Sequence, residues 1–168
     1  ILVVRDIRHR QKGAWRQIDP DDLTLQSLRY LYRVIVLLFA EARPELGILP
    51  VDDPDYQAGY SLARLRETAL TELHDDRARE STHLQQSLAV LFRLVNDGYE
   101  PEATLEIDAR GLTFPGLGST LFSERACPLL DRSRITDETL QQVLANLCCS
   151  KEKRGRSRQP MSYPTLDT

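Results

Sequence analysis

One long helix is the strongest structural prediction from this sequence. It begins at Asp19-Pro20-Asp21-Asp22, where an aspartate can cap the helix, a proline suits the first turn and two carboxylates face the positive end of the helix dipole. Apolar residues then recur at helical spacing as far as Arg43-Pro44: Leu25, Leu28, Leu31, Tyr32, Ile35, Leu38, Phe39 and Ala42. Because Val34, Val36 and Leu37 fill much of the remaining surface, we expect a central helix that is buried on nearly all sides.

Three further helices are predicted from capping residues followed by leucines three or four positions apart. Ser61 can cap the first of them, and Ser81 or Thr82 can cap the second, which should stop at Gly98 because glycine takes a left-handed conformation easily. Thr136 can cap the last helix.

The other segments have less regular patterns. Residues 1–18 are expected to form a strand or an extended arm. Leu105 and Ile107 alternate with polar residues and can pair with Leu112-Thr113-Phe114 as a small hairpin. We therefore predict a mainly α fold, a helical bundle-like domain at residues 19–149 with a small β-hairpin between the third and last helices. A basic linker follows at residues 150–168.

The composition fits one soluble domain, since the 168 residues are 41% hydrophobic and 28% charged. A net charge of −3 excludes a polycation that coats nucleic acid. The longest apolar run, Val34 to Ala40, is too short to cross a bilayer, and three cysteines without a disulfide-like spacing suit a reducing compartment. Because the chain begins at Ile1 and its only methionine is Met161, we expect an internal, cytoplasmic piece of a larger protein without membrane contact.

Two loops resemble ligand-binding motifs without meeting their requirements. Gly116-Leu117-Gly118 looks like part of a nucleotide loop, but Pro115 interrupts the approach and no βαβ unit follows. A calcium loop starting at Asp53 would need glycine and glutamate where Ala58 and Arg64 stand. We expect both loops to be structural turns.

No group of side chains has the spacing of a catalytic or metal site. The thiol and imidazole candidates form no Cys-x-x-Cys or His-x-x-x-His pair: Cys127, Cys148, Cys149, His74 and His83. Each histidine lies in a polar stretch without a recognisable serine or cysteine partner. The sequence therefore assigns no catalytic, cofactor-binding or metal-binding residue, and we expect buried cysteines and exposed histidines.

A basic run near the carboxyl end is the remaining candidate site. Five cations fall within eight residues and are opposed only by Glu152: Lys151, Lys153, Arg154, Arg156 and Arg158. Such a run can neutralise several phosphates of a DNA backbone. A solvated linker that keeps the chain soluble explains the same residues equally well, and the sequence leaves both interpretations open.

Several segments resemble one family in order and spacing. Ser27 to Arg33, continued by Leu37 to Arg43, is similar to the helical region upstream of the catalytic domain in large adenine-specific DNA methyltransferases. These are the type IIG-like restriction-modification enzymes and their relatives in the BREX and DISARM phage-defence systems. Further similar segments follow in the same order: Tyr60-Ser61-Leu62 with Leu65-Arg66-Glu67, Leu91 to Gly98, Phe114 to Phe122, Pro128 to Asp131, Ile135 to Glu138, and Met161 to Asp167. The resemblance covers about residues 19–167, while residues 1–18 match nothing in the family and Ser119 stands where a further glycine is common.

The resemblance implies a parent enzyme rather than an enzymatic segment. The family's methylase transfers a methyl group from S-adenosylmethionine to the exocyclic nitrogen of an adenine flipped out of the duplex. Its Asn-Pro-Pro-aromatic motif is absent, because Asn96 and Asn146 are followed by Asp97 and Leu147. The acid-x-lysine signature of the nuclease found in some members is absent too. The resemblance therefore implies a helical connector that is not itself an enzyme and leads toward a methylase domain outside this chain.

Two functions remain open at this point. The first is a scaffold of a bacterial DNA adenine-N6 methyltransferase in restriction-modification or phage defence. It would hold the rest of the methyltransferase chain in register on double-stranded DNA, with the basic run on the phosphate backbone. The alternative is a helical protein–protein interaction module without DNA contact.

Overall fold

The computed structural model describes residues 2–10, 18–101 and 111–148, and this part of the chain is mainly helical, as predicted. A 3-10 helix at Pro44–Leu46 follows the longest α-helix. The α-helices are α1 Leu2–Arg10, α2 Pro20–Ala42, α3 Pro54–Gly59, α4 Leu62–Leu70, α5 Asp76–Glu80, α6 His83–Asp97, α7 Pro128–Arg132 and α8 Asp137–Cys148.

Two helices, α2 and α8, organise the packing. The last helix, α8, contacts α1, α4, α5 and α6, whereas α2 contacts α1, α4 and α7. Their buried side chains belong to one apolar cluster, in which Leu37, Leu88, Leu140 and Leu144 are almost fully buried. Every α-helix in the described part of the chain except α5 therefore contributes to a single core.

The predicted caps of three helices are confirmed. An Asp19 carboxylate oxygen accepts a hydrogen bond from Asp21 N at 3.1 Å, and Pro20 opens α2. Ser61 Oγ accepts from Arg64 N at 3.3 Å at the start of α4, and Thr136 Oγ1 accepts from Thr139 N at 3.2 Å at the start of α8. Each cap satisfies a backbone donor that the first helical turn leaves unpaired.

The predicted cap of α6 is wrong, because its acceptor comes from another helix. Asp137, the first residue of α8, accepts from His83 N at 3.2 Å and from Leu84 N at 2.9 Å. Its carboxylate also accepts the Ser81 hydroxyl proton, and Thr82 makes no capping hydrogen bond with its side chain. The start of α6 is thus joined to the start of α8.

The extended conformation expected at the amino end is wrong for residues 2–10, which form α1. Val3, Val4 and Ile7 recur at helical spacing and pack against the core, with Ile7 buried. The Asp6 carboxylate accepts from Thr136 N at 3.0 Å, which joins α1 to the start of α8. Packing against α8 and α2 therefore decides the conformation of a segment too short to be helical alone.

The predicted β-hairpin is not supported. Its first arm, Leu105 and Ile107, lies outside the described residues, which contain no strand. In its second arm, Phe114 forms an isolated antiparallel bridge with Tyr99, donating to Tyr99 O at 2.8 Å and accepting from Tyr99 N at 3.0 Å. The backbone partner of Phe114 in the described part of the chain is therefore Tyr99, just after the end of α6, and not a strand.

Candidate interaction surface

Only one side of α2 faces the core, so the predicted burial on nearly all sides is wrong. The buried residues of α2 are Leu23, Gln26, Tyr30, Arg33, Val34, Leu37, Leu38 and Ala40. On the opposite side an outer stripe is exposed to solvent, with exposed fractions of 47% at Leu25, 58% at Leu28, 56% at Tyr32, 36% at Ile35 and 39% at Phe39. Successive members of the outer stripe are three, four, three and four residues apart, which keeps them in a line along the helix.

Arg33 explains part of this orientation, because its guanidinium finds all of its partners inside the fold. Nε donates to Leu121 O and Nη2 to Ser123 O, both at 2.7 Å. Nη1 lies 3.4 Å from an Asp131 carboxylate oxygen, and the guanidinium carbon lies 5.1 Å from the centre of the Phe92 ring. A buried charge with this many partners fixes which side of α2 faces inward.

Gln26 and Glu41 hold the inward side of α2 at two further points. Gln26 Oε1 accepts from Leu129 N at 2.8 Å, near the start of α7. The Glu41 carboxylate accepts from Leu62 N at 2.6 Å and Ala63 N at 2.9 Å, so it caps α4 from another helix. These polar anchors leave the outer stripe facing away from the core.

Burial shifts the pKa of several groups around α2. Desolvation raises the pKa of Asp131, and the nearby Arg33 opposes that shift. Desolvation also raises the pKa of the Tyr30 hydroxyl and of the Cys127 thiol, and for both the Asp131 charge adds to the rise. The pKa of Tyr56 rises through burial and through the charge and hydrogen bond of Glu41, whose Oε2 accepts the phenol proton at 2.7 Å.

The outer stripe lies in an almost uncharged stretch of the helix surface. Between Asp22 and Arg43 the exposed side of α2 carries a single charge, Arg29, whose Nη1 lies 3.4 Å from Ala126 O. Arg43 covers one end of the stripe, with its guanidinium carbon 5.6 Å from the centre of the Phe39 ring. Exposed apolar residues arranged in a continuous line are typical of an interaction surface.

An apolar groove of about 720 Å³ borders the outer stripe and widens the apolar area. Leu28 and Leu31 of α2 line one wall, while Leu2 and Val4 of α1 and Leu147 of α8 contribute to the others. The groove is lined mainly by aliphatic side chains. Its chemistry therefore suits an apolar side chain rather than a charged ligand.

A second concavity of about 640 Å³ lies between α6, α7 and the loop that precedes α7. Arg93, Arg125 and Arg132 line it, but Glu124 and Asp131 stand among them. Mixed charges of this kind lower the attraction for an anion, so the cleft does not resemble a dedicated phosphate site.

The two loops with motif-like sequences serve as caps. Leu117 N donates to Val95 O at 2.8 Å and Gly118 N donates to Asn96 O at 2.9 Å, so this loop caps the carboxyl end of α6. Asp53 accepts from Asp55 N at 2.8 Å and caps α3. Both loops thus hold the end of a neighbouring helix, α6 in the first case and α3 in the second.

The five cations of the basic run, Lys151, Lys153, Arg154, Arg156 and Arg158, all lie outside the described residues, as does the rest of the predicted linker. His74 and His83 are exposed and Cys127 is buried, as predicted. Over residues 2–10, 18–101 and 111–148, His, Cys, Asp and Glu side chains form no group of three that could hold a metal ion.

By length and composition, α2 could cross a membrane, and it is the one helix in the described part of the chain that passes this test. Buried residues make up 44% of the apolar window that passes. The inward side also carries Arg33, Gln26 and Glu41, whose hydrogen bonds reach other parts of the fold. A single helix of this kind is weak evidence for a membrane span, because the core helix of a folded domain passes the same test.

Comparisons with protein-family models, with curated proteins and with solved structures find no match for this chain.

Proposed function

We propose that this chain is a helical scaffold segment of a bacterial DNA adenine-N6 methyltransferase of a restriction-modification or phage-defence system. In this role it attaches to another part of the assembly through the outer stripe of α2 and helps to position the methylase on DNA. S-adenosylmethionine belongs to the parent enzyme, and the proposed location is the cytoplasm. The family in this proposal comes from the sequence resemblance alone.

The outer stripe is the observation that carries the scaffold role. One side of α2 belongs to the core, while the opposite side offers five large apolar side chains to a second body. A helix placed in this way can join two packed units without any chemistry of its own.

The anchors on the inward side support the same role. Gln26 joins the first half of α2 to Leu129 N, while Arg33 and Glu41 join its second half to backbone groups near residues 121–123 and 62–63. A helix that is fixed along its length presents the outer stripe as a rigid surface. Rigidity lowers the entropy lost when a second body binds.

The DNA contact is proposed from the sequence of the basic run. Contacts to phosphates orient a protein on the duplex without reading its sequence. If all five cations contact phosphates, the slope of log K against log salt should be about −4.5. Carboxylates outnumber cations in the rest of the chain. The basic run would therefore supply positive charge in any such contact.

The test compares two variants of the whole chain that carry the same charge change. In the first, Lys151, Lys153, Arg154, Arg156 and Arg158 become alanine. In the second, exposed arginines elsewhere become alanine: Arg77, Arg79, Arg93, Arg132 and Arg134. Binding of two unrelated labelled DNA duplexes is measured by fluorescence anisotropy over a range of salt concentrations, and methyl transfer from labelled S-adenosylmethionine is measured in parallel.

We expect the first variant to lose affinity similarly for both duplexes and to show a flatter salt slope, whereas the second keeps most of both. Absence of DNA binding by the unsubstituted chain, together with a salt-insensitive protein complex, would favour the interaction module without DNA contact. Methyl transfer by the chain itself would overturn the scaffold proposal.

A further inference from the structure

We infer that α1 supplies a second set of contacts to the DNA backbone, beside those of the basic run. The inference rests on the proposed function, because it adds a further element to the same DNA contact. It goes further in assigning part of that contact to Arg5 and Arg8. Three observations carry it: the distribution of charge along the chain, the packing of α1 against α8, and the position of the acidic side chain in α1.

Positive charge is concentrated at the two ends of the sequence. Residues 1–18 hold five cations and one acidic side chain, and residues 149–168 hold five cations and two acidic side chains. The 130 residues between them hold 12 cations and 22 acidic side chains. A polyanion is therefore attracted to the two terminal segments and repelled by most of the rest.

The fold brings the first of these segments to the helix that precedes the second. Helix α1 packs against α8, and Arg5 lines the same groove as Leu147, the next-to-last residue of α8. The basic run begins at Lys151, three residues beyond the end of α8, which is at most about 11 Å of extended chain. Cations from the two ends of the sequence can therefore reach one stretch of duplex.

The acidic side chain of α1 is engaged inside the fold. Asp6 Oδ2 accepts from Thr136 N at 3.0 Å and from Thr136 Oγ1 at 3.2 Å. This contact lies at the amino end of α8, where the helix dipole offsets a negative charge. Arg5 is exposed, and Arg8 follows three positions later, which is the spacing of neighbours on one side of a helix. Helix α1 thus offers two cations to an anion while its carboxylate is bound elsewhere.

The apolar side of α1 is already used by the core, which favours DNA over a membrane surface as the polyanion. A basic helix that binds a membrane inserts its apolar side among the lipids. In α1 the apolar residues Val3, Val4 and Ile7 pack against the core, and Ile7 is only 2% exposed. The cations of α1 then bind by charge alone, as contacts to a phosphate backbone do.

The first experiment measures binding of the whole chain to a labelled DNA duplex of mixed sequence by fluorescence anisotropy over a range of salt concentrations. The test variant combines Arg5→Gln with Arg8→Gln, since glutamine removes the charge and is a good helix former. Arg77→Gln with Arg79→Gln is the matched control, because it makes the same charge change at exposed residues of α5.

We expect the test variant to bind at least about 10-fold more weakly near 0.1 M salt. Its slope of log K against log salt should be flatter by about 1.8, as two phosphate contacts are lost. The α5 control should keep its affinity within about twofold, and Arg5→Lys with Arg8→Lys should restore most of the binding, because the charge is what the phosphate contacts.

The second experiment tests proximity without removing the other cations. A photo-crosslinker is attached to Arg5→Cys in a background where Cys148 and Cys149 are serine; Cys127 is buried and should not react. Arg77→Cys with the same reagent is the control. We expect illumination to join the Arg5→Cys chain to the duplex and to join the Arg77→Cys chain much less.

The outcomes separate this inference from the proposed function. If the alanine variant of the basic run loses affinity while the α1 variant matches its control and Arg5→Cys gives no crosslink, the inference is overturned and the DNA contact of the basic run stands. The opposite pattern supports the inference and refutes the basic run as a DNA contact. Tighter binding to vesicles rich in phosphatidylglycerol, weakened by the same α1 substitutions, overturns DNA as the polyanion. Absence of DNA binding by the unsubstituted chain overturns both contacts.

Discussion

Charged and amide side chains reach across this fold to backbone groups that are distant in sequence. Arg33 bonds to Leu121 O, which is 88 residues away, and Asp137 bonds to Leu84 N, which is 53 residues away. Gln85 does the same, accepting from Ile135 N at 2.8 Å and donating to Ser133 O at 2.7 Å. These contacts join loops and helix ends that are far apart in the sequence.

Arg33 should contribute far more to stability than Arg29, one turn earlier on the same helix. Arg33→Met leaves two backbone acceptors near Leu121 and Ser123 without their donor and Asp131 without its cation, so we expect a loss of about 3 kcal/mol. Arg29 is exposed and its single contact is long, at 3.4 Å, so Arg29→Met should change stability by less than about 0.5 kcal/mol. Urea unfolding of the two variants measures the difference, and equal losses would contradict the anchoring role of Arg33.

Local caps could be predicted from sequence, whereas the distant ones could not. Asp19, Ser61 and Thr136 cap helices that begin within three residues, so a short pattern contains both donor and acceptor. Asp137 and Glu41 cap helices from other parts of the chain. Nothing in a short window shows that such an acidic residue has a partner, and a carboxylate in a helix is read as exposed.

At the scale of elements, the glycine loop and α6 are fitted closely together. Gly116 has φ of 74°, and a Cβ there would lie 2.9 Å from Gly98 N and 3.1 Å from Asp97 O. Gly118 has φ of 56°, but a Cβ there would meet nothing within 4 Å. The two glycines therefore share a backbone requirement and differ in their surroundings.

Replacing each of these glycines by alanine should separate backbone strain from the close approach. Both variants impose a positive φ on alanine, which costs about 1 kcal/mol. Gly116→Ala must also move the end of α6, so we expect it to lose about 1–3 kcal/mol more than Gly118→Ala. Thermal unfolding followed by circular dichroism gives the comparison. Similar losses for the two variants would show that the loop can withdraw from α6.

The orientation of α2 shows why a correct helix can be assigned the wrong face. The sequence predicts where α2 begins and ends, but its most regular apolar line is the exposed outer stripe. The inward side is interrupted by Gln26 and Arg33, which a hydrophobic pattern counts as polar although both are buried. Because those two residues have partners at residues 121–129, only the tertiary structure shows which side is inside. The regular spacing of the apolar residues in the outer stripe is the sequence signal that could have indicated a second apolar surface.

For the whole molecule, one shared core implies that the described helices with residues in it, all except α5, unfold together. Three groups in that core have a raised pKa: the Cys127 thiol and the phenols of Tyr30 and Tyr56. Each stays protonated in the folded chain at a pH where it ionises in the unfolded chain. Alkaline conditions should therefore weaken the entire fold rather than a single helix.

Stability should fall steeply as the pH rises above 10, the ordinary pKa of a tyrosine phenol. Below that pH both states hold their phenol protons and the stabilisation is complete. Above it, the unfolded chain releases protons that the folded chain retains, so each buried tyrosine lowers the free energy of unfolding by up to about 1.4 kcal/mol per pH unit.

Tyr30→Phe should flatten this fall at little cost near neutral pH, since the Tyr30 hydroxyl has no hydrogen-bond partner among the described residues. Tyr56→Phe should flatten it equally but cost about 1.5–3 kcal/mol at neutral pH, because the phenol donates to Glu41. Urea unfolding of both variants and the double variant between neutral pH and pH values above 10 measures these slopes, and a double variant with an unchanged slope would refute the assignment of the alkaline transition to these two phenols.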